Sequence, residues 1–239
     1  MKDLRTFCDS NAPEDIISNA SAEIRFILEN FLKNGQPSLN DIEKLFLVKD
    51  RDKQVVLKTA DYLRNKVNGD NVTFVVNRNI NFTNVCYMGC RFCGFAKRAN
   101  QLGAEWLSLD EVVRRAKEAW NRGATEVCIQ GGLHPKLPGT YYRDILIAIK
   151  KDLPTMHIHA FSPFEIWYGA KKRRMSYPDF LQDLKECGLG SMPGTAAEIL
   201  DTQIRKKLTK DKLSTNQWIE IITAAHQLEV PSTATIMYG

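Results

Sequence analysis

The chain has 239 residues, of which 44% are hydrophobic and 26% are charged, and it carries a formal net charge of +5. This length and balance predict a folded globular protein with a sizeable core, and they exclude a disordered or fibrous chain. The positive charge is spread without a dense basic stripe, so no nucleic-acid partner is expected. The longest basic run, Lys171 to Arg174, lies between Gly169 and Pro178, where a solvated loop is expected.

The first residues are charged and no apolar segment follows them, so the sequence shows no secretory signal. No apolar run is long enough to cross a bilayer. We therefore expect a cytoplasmic protein with no membrane partner, in which six cysteines do not imply disulfides. Of the cysteines outside the motif described below, Cys8 is isolated, and Cys128 and Cys187 are expected to be small buried hydrophobic residues.

Residues 1–70 predict a helical N-terminal extension without strands. An apolar stripe from Ile16 to Phe31 indicates a first helix that ends near Gly35. Ser38 and Asp41 form a capping pattern that begins a second helix, which runs to about residue 47. A third helix is expected around residues 56–67, ended by Gly69.

Residues 71–239 predict an α/β domain, because strand and helix patterns alternate from Val72 onwards. Strands are expected at 72–82, 126–130, 157–161, 189–192 and 232–237, and helices at 109–122, 141–151, 177–187 and 218–228. Such alternation indicates parallel strands with the functional site at their C-terminal ends. The fifth strand would be an uncovered edge of the sheet, so we expect the barrel to be truncated at the C-terminus. We also expect a protein of this length to aggregate or to be inactive.

Three cysteines follow the first predicted strand with the spacing Cys86-x3-Cys90-x2-Cys93. Three thiolates on one loop can each bind one iron of a cubane cluster and leave the fourth iron open for chemistry. The alternative is a structural zinc site formed by the three cysteines and a distant histidine.

With Phe92 directly before the last cysteine, this motif resembles the radical S-adenosylmethionine superfamily. The resemblance implies a partial (βα)6 TIM-type barrel with a [4Fe-4S] cluster and S-adenosyl-L-methionine as cofactors. In that superfamily the open iron chelates the amino and carboxylate groups of the methionine moiety, and reduction releases a 5′-deoxyadenosyl radical.

Further segments narrow the resemblance. A group that contains deazaflavin synthase and the futalosine enzymes of menaquinone synthesis is similar in three of them: VVNRNINFTNVC at 75–86, IQGGLHP at 129–135 and HIHAFSP at 157–163. The hydroxyphenyl-transferase subunits of deazaflavin (FO) synthase are most similar in two more: SMPGTAAEIL at 191–200 and TATIMYG at 233–239. The menaquinone enzymes tend to have Pro-Gly-Gly-Gly where this chain has Pro-Gly-Thr-Ala at 193–196.

The resemblance implies a transferase that joins tyrosine to 5-amino-6-(D-ribitylamino)uracil. Hydrogen abstraction from tyrosine breaks its Cα–Cβ bond, the 4-hydroxybenzyl fragment adds to uracil C5, and the remainder leaves as 2-iminoacetate. The implied partners are a reductant protein and a second radical subunit that closes the ring of the coenzyme F-420 precursor. A futalosine enzyme of the menaquinone pathway is the alternative.

The paired glycines of Gln130-Gly131-Gly132 end a strand, where they allow backbone groups to approach a ligand. The resemblance implies that this turn contacts the methionine amino group of the cofactor. Leu133 stands where the family usually has glutamate, so that position offers no carboxylate. A plain turn between strand and helix is the alternative.

Three further side chains are candidate cofactor contacts by resemblance. Phe92 lies in the cysteine loop. Glu198 follows Pro193-Gly194 near the start of an expected helix, and the resemblance implies that it binds ribose hydroxyls. Arg205 is the candidate for the methionine carboxylate. A helix-start acid and a solvated basic face are the alternatives for Glu198 and Arg205.

Candidate substrate contacts lie on the strands. Asn77, Asn79 and Asn81 share one strand face, and we select Asn79 and Asn81 as substrate-binding candidates, with hydrogen-bonded structural amides as the alternative. His159 is a third candidate, whereas His157 is expected to be a hydrogen-bonded core histidine. At the strand ends, His134 and Tyr238 are further possible contacts, and Tyr238 is the fourth candidate.

Overall fold

The computed structural model describes residues 14–195, 197–209 and 212–237. Cys8 and the candidate Tyr238 lie outside these ranges. Within the described ranges, no helix combines the length and the apolar character needed to span a bilayer. The chain divides into two compact units, one that ends at Thr73 and one that begins at Phe74.

The first unit consists of helices that pack around a small apolar core. They are α1 (Glu14–Ile17), α2 (Ala22–Asn34), α3 (Leu39–Leu47) and α4 (Asp50–Asn68). The predicted first helix is therefore two helices. Helix α2 ends at Asn34 and is capped by Gly35, whose φ of 73° suits glycine. The capping box that begins α3 is confirmed, because the Ser38 hydroxyl accepts from the Asp41 N–H and the Asp41 carboxylate accepts from the Ser38 N–H. The core of the unit is formed by Ile17, Ile24, Ile27, Leu28, Leu32 and Val55.

The second unit alternates strands and helices. Its described elements are β1 (Asn77–Asn81), α5 (Leu109–Asn121), β2 (Glu126–Gln130), α6 (Tyr141–Asp152), β3 (His157–Ala160), α7 (Pro163–Arg173), α8 (Tyr177–Glu186), α9 (Thr202–Leu208) and α10 (Thr215–Gln227). The strands form a parallel sheet in the order β1-β2-β3. This arrangement confirms the predicted α/β class.

The two faces of the sheet differ in chemistry. One face is apolar and buried, with Ile80, Val127, Ile129, Ile158 and Ala160 in the main core. The opposite face, which we call the lumen face, carries Asn77, Asn79, Asn81, Glu126, Cys128, Gln130, His157 and His159. The strand register stacks these residues in rows, with Asn77, Glu126 and His157 in the first and Asn79, Cys128 and His159 in the second.

Several predicted elements are wrong in extent or type. The first strand begins at Asn77 rather than residue 72, and the two last predicted strands are replaced by isolated bridges, such as His159 with Ser191 and Met192 with Ser232. Helix α7 was not predicted, and the basic run predicted to be a loop forms its last turn and its C-cap. Ser162 and Glu165 form the capping box that begins α7, and Pro163 occupies its first turn, so this helix start carries a sequence signal that the prediction missed.

Candidate functional site

The cysteine loop follows β1 and is held by backbone hydrogen bonds from separate parts of the unit. The Cys86 N–H donates to Lys97 O (3.0 Å), and the Tyr87 N–H donates to Leu133 O (3.3 Å). The Arg91 N–H donates to Leu208 O at the end of α9 (3.1 Å). These bonds fix the loop at the C-terminal ends of the strands, where an α/β barrel carries its functional site.

Cys86, Cys90 and Cys93 line one cavity, with Cys86 and Cys90 partly buried and Cys93 exposed. Among the described residues, no three His, Cys, Asp or Glu side chains are arranged to hold one metal ion. A cubane cluster does not require three side chains to meet at one metal ion, because each thiolate binds a different iron atom. The donor set therefore fits three ligands of a cluster that has an open corner.

The glycine turn after β2 lies against the cysteine loop. A Cβ on Gly132 would lie 2.4 Å from the Val85 carbonyl oxygen and 2.9 Å from the Cys86 Cβ, and one on Gly131 would lie 2.6 Å from the Phe82 ring. Gln130 also lines the cavity and donates from Nε2 to the Thr195 hydroxyl (3.0 Å). Glycine is required at 131 because a Cβ would overlap the Phe82 ring, and at 132 because it would overlap the Val85 backbone.

A carboxylate does reach this turn, from a position that the sequence analysis missed. Glu165, in the first turn of α7, is 2% exposed and lines the same cavity. Its Oε1 accepts from the Gly131 N–H (3.0 Å), and its Oε2 accepts from the Ser162 N–H (2.7 Å) and hydroxyl (2.6 Å). Burial raises the pKa of Glu165 to about 7, opposed by the hydrogen bonds from Ser162 and Gly131 and by the charge of Lys212.

We expect Glu165→Gln to remove a pH dependence of stability. The folded protein holds this proton up to about pH 7, whereas the unfolded chain releases it near the ordinary value of 4.5. The wild type should therefore lose stability relative to the glutamine variant as pH rises from about 4.5 to about 7, by on the order of 3 kcal/mol. Urea unfolding of both proteins across this range measures the difference, and parallel curves would contradict the raised pKa.

Glu198 lines the cavity but does not begin a helix. Its φ is 50° and it bridges to Ile236, whereas α9 begins at Thr202 with Asp201 as its N-cap. The prediction that Glu198 lies near a helix start is therefore wrong. A positive φ is uncommon at glutamate, and the backbone bridge to Ile236 holds Glu198 in this conformation.

The partner of Glu198 is Lys212, a second residue that the sequence analysis missed. The two side chains form an ion pair of 2.9 Å, and each is 8% exposed. The Lys212 ammonium also lies 5.4 Å from the centre of the Phe92 ring and 5.9 Å from that of Phe164. Lys212 is thus a buried cation in the wall of the cavity that the cysteines line. No pattern marks it, because a lysine in a polar stretch is typical of a solvated loop.

Arg205 is buried, 3% exposed, and contacts backbone carbonyl groups. Its guanidinium donates to Leu213 O (2.5 Å) and Ala197 O (2.6 Å), and to Ile199 O at 3.3 Å. Burial lowers its pKa, while the nearby Glu198 raises it. These bonds join α9 to the segments on both sides of it, so Arg205 supports the shape of the region that carries Glu198 and Lys212.

Arg205→Ala should destabilise the protein because it leaves buried carbonyl oxygens without donors. We expect a loss of about 3 kcal/mol in the free energy of unfolding, measured by urea denaturation. Arg205→Lys keeps the charge but not the forked geometry of the guanidinium. This variant should therefore show a smaller loss in the free energy of unfolding. If Arg205→Lys unfolds like the wild type and instead loses affinity for S-adenosylmethionine, the predicted contact with the methionine carboxylate is favoured.

The substrate candidates in the described residues all lie on the lumen face. Asn81 lines the cavity beside Gln130, its partner in the strand register. Asn79 and His159 lie one row further from the cysteines, on both sides of Cys128. His157 is not a core histidine, because its side chain is 44% exposed, although it is hydrogen-bonded to Ser191. His134 is buried, with its Nδ1 accepting from the Lys136 N–H (3.0 Å).

A family model described as the Radical SAM superfamily matches residues 80–239. The match covers most of the chain, including the cysteine loop and the glycine turn, and the chain belongs to the Radical SAM superfamily.

Two curated relatives specify the similarity further. The FO synthase of Streptomyces avermitilis is 47% identical over 239 residues, which are 99% of this chain and 28% of that protein. The 5-amino-6-(D-ribitylamino)uracil--L-tyrosine 4-hydroxyphenyl transferase of Methanocaldococcus jannaschii is 52% identical over 187 residues, which are 77% of this chain and 52% of that protein. The chain thus spans about half or less of the length of these relatives.

Solved structures support the fold. HydG, a maturase of the [FeFe]-hydrogenase, superposes with a TM-score of 0.68 at 17% identity, covering 99% of this chain and 50% of that one. Methylornithine synthase superposes with a TM-score of 0.62, also at 17% identity, covering 86% of this chain and 57% of that one. Together with the family match, this likeness confirms the predicted partial TIM-type barrel.

Proposed function

We propose that Cys86, Cys90 and Cys93 hold a [4Fe-4S] cluster and that the cavity beside them binds S-adenosyl-L-methionine. The observation that carries this proposal is that the three thiols, the glycine turn and the Glu198–Lys212 ion pair line one cavity. When bound and reduced, this pair of cofactors supplies a 5′-deoxyadenosyl radical. The protein binds, orients and shields the reacting groups.

Each residue of the cavity has a role that follows from its chemistry. The backbone of Gln130, Gly131 and Gly132 offers carbonyl oxygens to the methionine ammonium, with no Cβ on the glycines to obstruct the approach. Glu165 holds that turn in place through the Gly131 N–H. Its carboxyl group compensates for the leucine at 133.

The Glu198–Lys212 pair serves two further parts of the cofactor, the ribose and the methionine carboxylate. The Glu198 carboxylate accepts hydrogen bonds from ribose hydroxyls, and Lys212 supplies positive charge for the methionine carboxylate. Phe92 and Phe164 keep the Lys212 ammonium within the cavity by cation–π contact. For Arg205, predicted to contact the methionine carboxylate, we propose an indirect role instead, because its backbone contacts shape the region that carries Glu198 and Lys212.

The reaction that we propose is the transfer of the 4-hydroxybenzyl group of tyrosine to C5 of 5-amino-6-(D-ribitylamino)uracil. Its support is the similarity to the two curated relatives, one of which is named for these substrates. The lumen face suits such a substrate, because amides, imidazoles and a carboxylate match the hydroxyl, imide and amino groups of a ribitylaminouracil. Asn79, Asn81 and His159 are the proposed contacts, and Tyr238 remains a prediction outside the described residues.

The proposed partners are a reductant protein and a second radical enzyme that closes the deazaflavin ring. The cluster needs an external electron for each cleavage of S-adenosylmethionine. The transferred product is not yet a deazaflavin, so a second reaction must follow.

The test is a product assay with the purified protein. Anaerobically reconstituted protein receives S-adenosylmethionine, a reductant, tyrosine and the ribitylaminouracil, and mass spectrometry follows the benzylated adduct and 2-iminoacetate. Formation of both supports the proposal. Turnover of futalosine-derived substrate alone would instead assign the chain to the menaquinone pathway. A colourless protein that binds zinc and no iron would refute the cluster.

A further inference from the structure

Two histidines and a serine form a line of hydrogen bonds on the lumen face, at the end of the sheet away from the cysteines. The Ser191 Oγ lies 2.8 Å from His157 Nε2 and 2.6 Å from His159 Nδ1. The Glu126 Oε2 lies 3.8 Å from the same nitrogen of His157, and Glu126 Oε1 accepts from the Asn77 amide (3.3 Å). The hydrogen-bonded line therefore runs from His157 through Ser191 to His159, and the Glu126 carboxylate lies beside its His157 end.

The surrounding backbone is shaped to hold this line. Ser191 is bridged to His159 as a parallel strand residue would be. A Cβ on Gly190 would lie 2.5 Å from the His157 ring, so only glycine leaves room for the imidazole at this place. His159 lies about 7 Å further along β3 than His157, in the direction of the cofactor cavity.

A hydroxyl group between two imidazoles donates one hydrogen bond and accepts the other. If Ser191 donates to His157 Nε2, it accepts from His159 Nδ1–H, and His159 Nε2 is then free to accept a proton. If His159 Nε2 takes a proton, its Nδ1 proton moves to Ser191 and the Ser191 proton moves to His157. One proton has then entered the line, and the positive charge lies on His157.

The environment favours this distribution of charge. Burial lowers the pKa of His159, so a charge held there is unfavourable. The His157 side chain is 44% exposed and lies beside the Glu126 carboxylate. Glu126 lies 3.8 Å from the same nitrogen that contacts Ser191, so it stabilises the His157 imidazolium by its charge and not by a hydrogen bond.

We propose that Glu126, His157, Ser191 and His159 form a proton relay, in which His159 is the general base that takes a proton from an N–H or O–H group of the substrate. The substrate keeps the electron pair, His159 Nε2 gains the proton, and His157 becomes the imidazolium that Glu126 stabilises. His159 is the catalytic residue, and the other three act through it. This assignment rests on the proposed function, because the tyrosine phenol and the aminouracil both carry such protons.

The groups around the relay do not compete for the proton. Among the described residues of β1, those facing the relay are the amides of Asn77 and Asn79. From β2, Cys128 lies between Asn79 and His159, and burial raises its pKa to about 11, so it remains a neutral thiol. Glu126 is thus the described anionic group that faces the two histidines, and the segment at 190–191 adds only the Ser191 hydroxyl.

Histidine-selective ¹⁵N NMR tests the relay without turnover, since the chain has only 4 histidines. In the wild type, the ¹⁵N signals should show the tautomers that the shared hydroxyl imposes, with the His159 proton on Nδ1 and with His157 Nε2 unprotonated. Ser191→Ala should abolish this tautomer preference in both rings, and Ser191→Thr should restore it. Identical histidine ¹⁵N signals for the wild type and Ser191→Ala would overturn the relay.

The product assay then tests the catalytic role. Ser191→Ala should lower adduct formation at pH 7 by about 100-fold, the range of general acid–base catalysis, and shift the pH–rate profile, whereas Ser191→Thr recovers most of the rate. Ser176→Ala, which removes an exposed helix-capping hydroxyl, is the control for serine loss. Adduct formation by Ser191→Ala at the wild-type rate at every pH would refute the role of the relay. A wild type that makes no adduct would refute the proposed function, and the histidine ¹⁵N spectra would still decide whether the relay exists.

Discussion

Replacing any one of Cys86, Cys90 and Cys93 by alanine is expected to abolish cleavage of S-adenosylmethionine. Each thiolate is assigned to a separate iron of the cluster, so none can substitute for another. Loss of groups that merely support metal ligands costs about 10- to 100-fold, and loss of a ligand itself should exceed that range. The measurement is the yield of 5′-deoxyadenosine from reduced protein, together with iron content and the charge-transfer absorption of the cluster.

Two other cysteines serve as controls for the loss of a thiol. Cys187 caps α8 at its C-terminal end, and Cys8 is isolated in the sequence. Cys187→Ala and Cys8→Ala should keep the iron content and the 5′-deoxyadenosine yield of the wild type. The ligand assignment would be wrong if a variant at Cys86, Cys90 or Cys93 retained normal cleavage.

Gly132→Ala is expected to have the second largest effect, although it adds only one methyl group. The new Cβ would lie 2.4 Å from the Val85 carbonyl oxygen and 2.9 Å from the Cys86 Cβ, so the start of the cysteine loop must move. Misplacement of reacting groups by about 1 Å costs on the order of 100-fold in rate. We therefore expect at least that loss of S-adenosylmethionine cleavage, with weaker cluster binding measured by iron retention after gel filtration.

Gly89→Ala is the matched control, because Gly89 lies in the cysteine loop itself. A Cβ there would have no atom within 4 Å, and its φ is not in the left-handed region. This variant should retain iron and cleave S-adenosylmethionine like the wild type. Equal behaviour of the two alanine variants would show that the contact between the glycine turn and the loop is not what fixes the cluster.

Local patterns predicted much of the fold because each rests on short-range physics. The strand Glu126–Gln130 has its predicted bounds, and the capping box at Ser38 begins a helix as expected. The strand alternation also placed Asn77, Asn79 and Asn81 on one face, since their neighbours Ile80 and Phe82 are fully buried on the other.

The residues that the sequence analysis missed depend on contacts between distant segments. Glu165 is a helix-capping residue by its local pattern, and only the approach of Gly131 turns it towards the cavity. Lys212 acquires its surroundings from Phe92, Phe164 and Glu198, which belong to three other segments. Neither arrangement has a periodicity or a spacing that a single sequence can display. The resemblance gave Glu198 its role, but only the structure shows its positive φ and its lysine partner.

The hydrogen bond from Arg91 to Leu208 closes the cysteine loop with a segment that the ribosome makes much later. When the cysteines leave the exit tunnel, Glu198, Leu208 and Lys212 have not yet been synthesised, so the nascent chain has thiols but not the walls that shield them. Delivery of iron and sulfide is therefore expected to follow translation of residue 212. In a pulse-labelled culture, iron should be absent from nascent chains that end before residue 212 and present in longer ones.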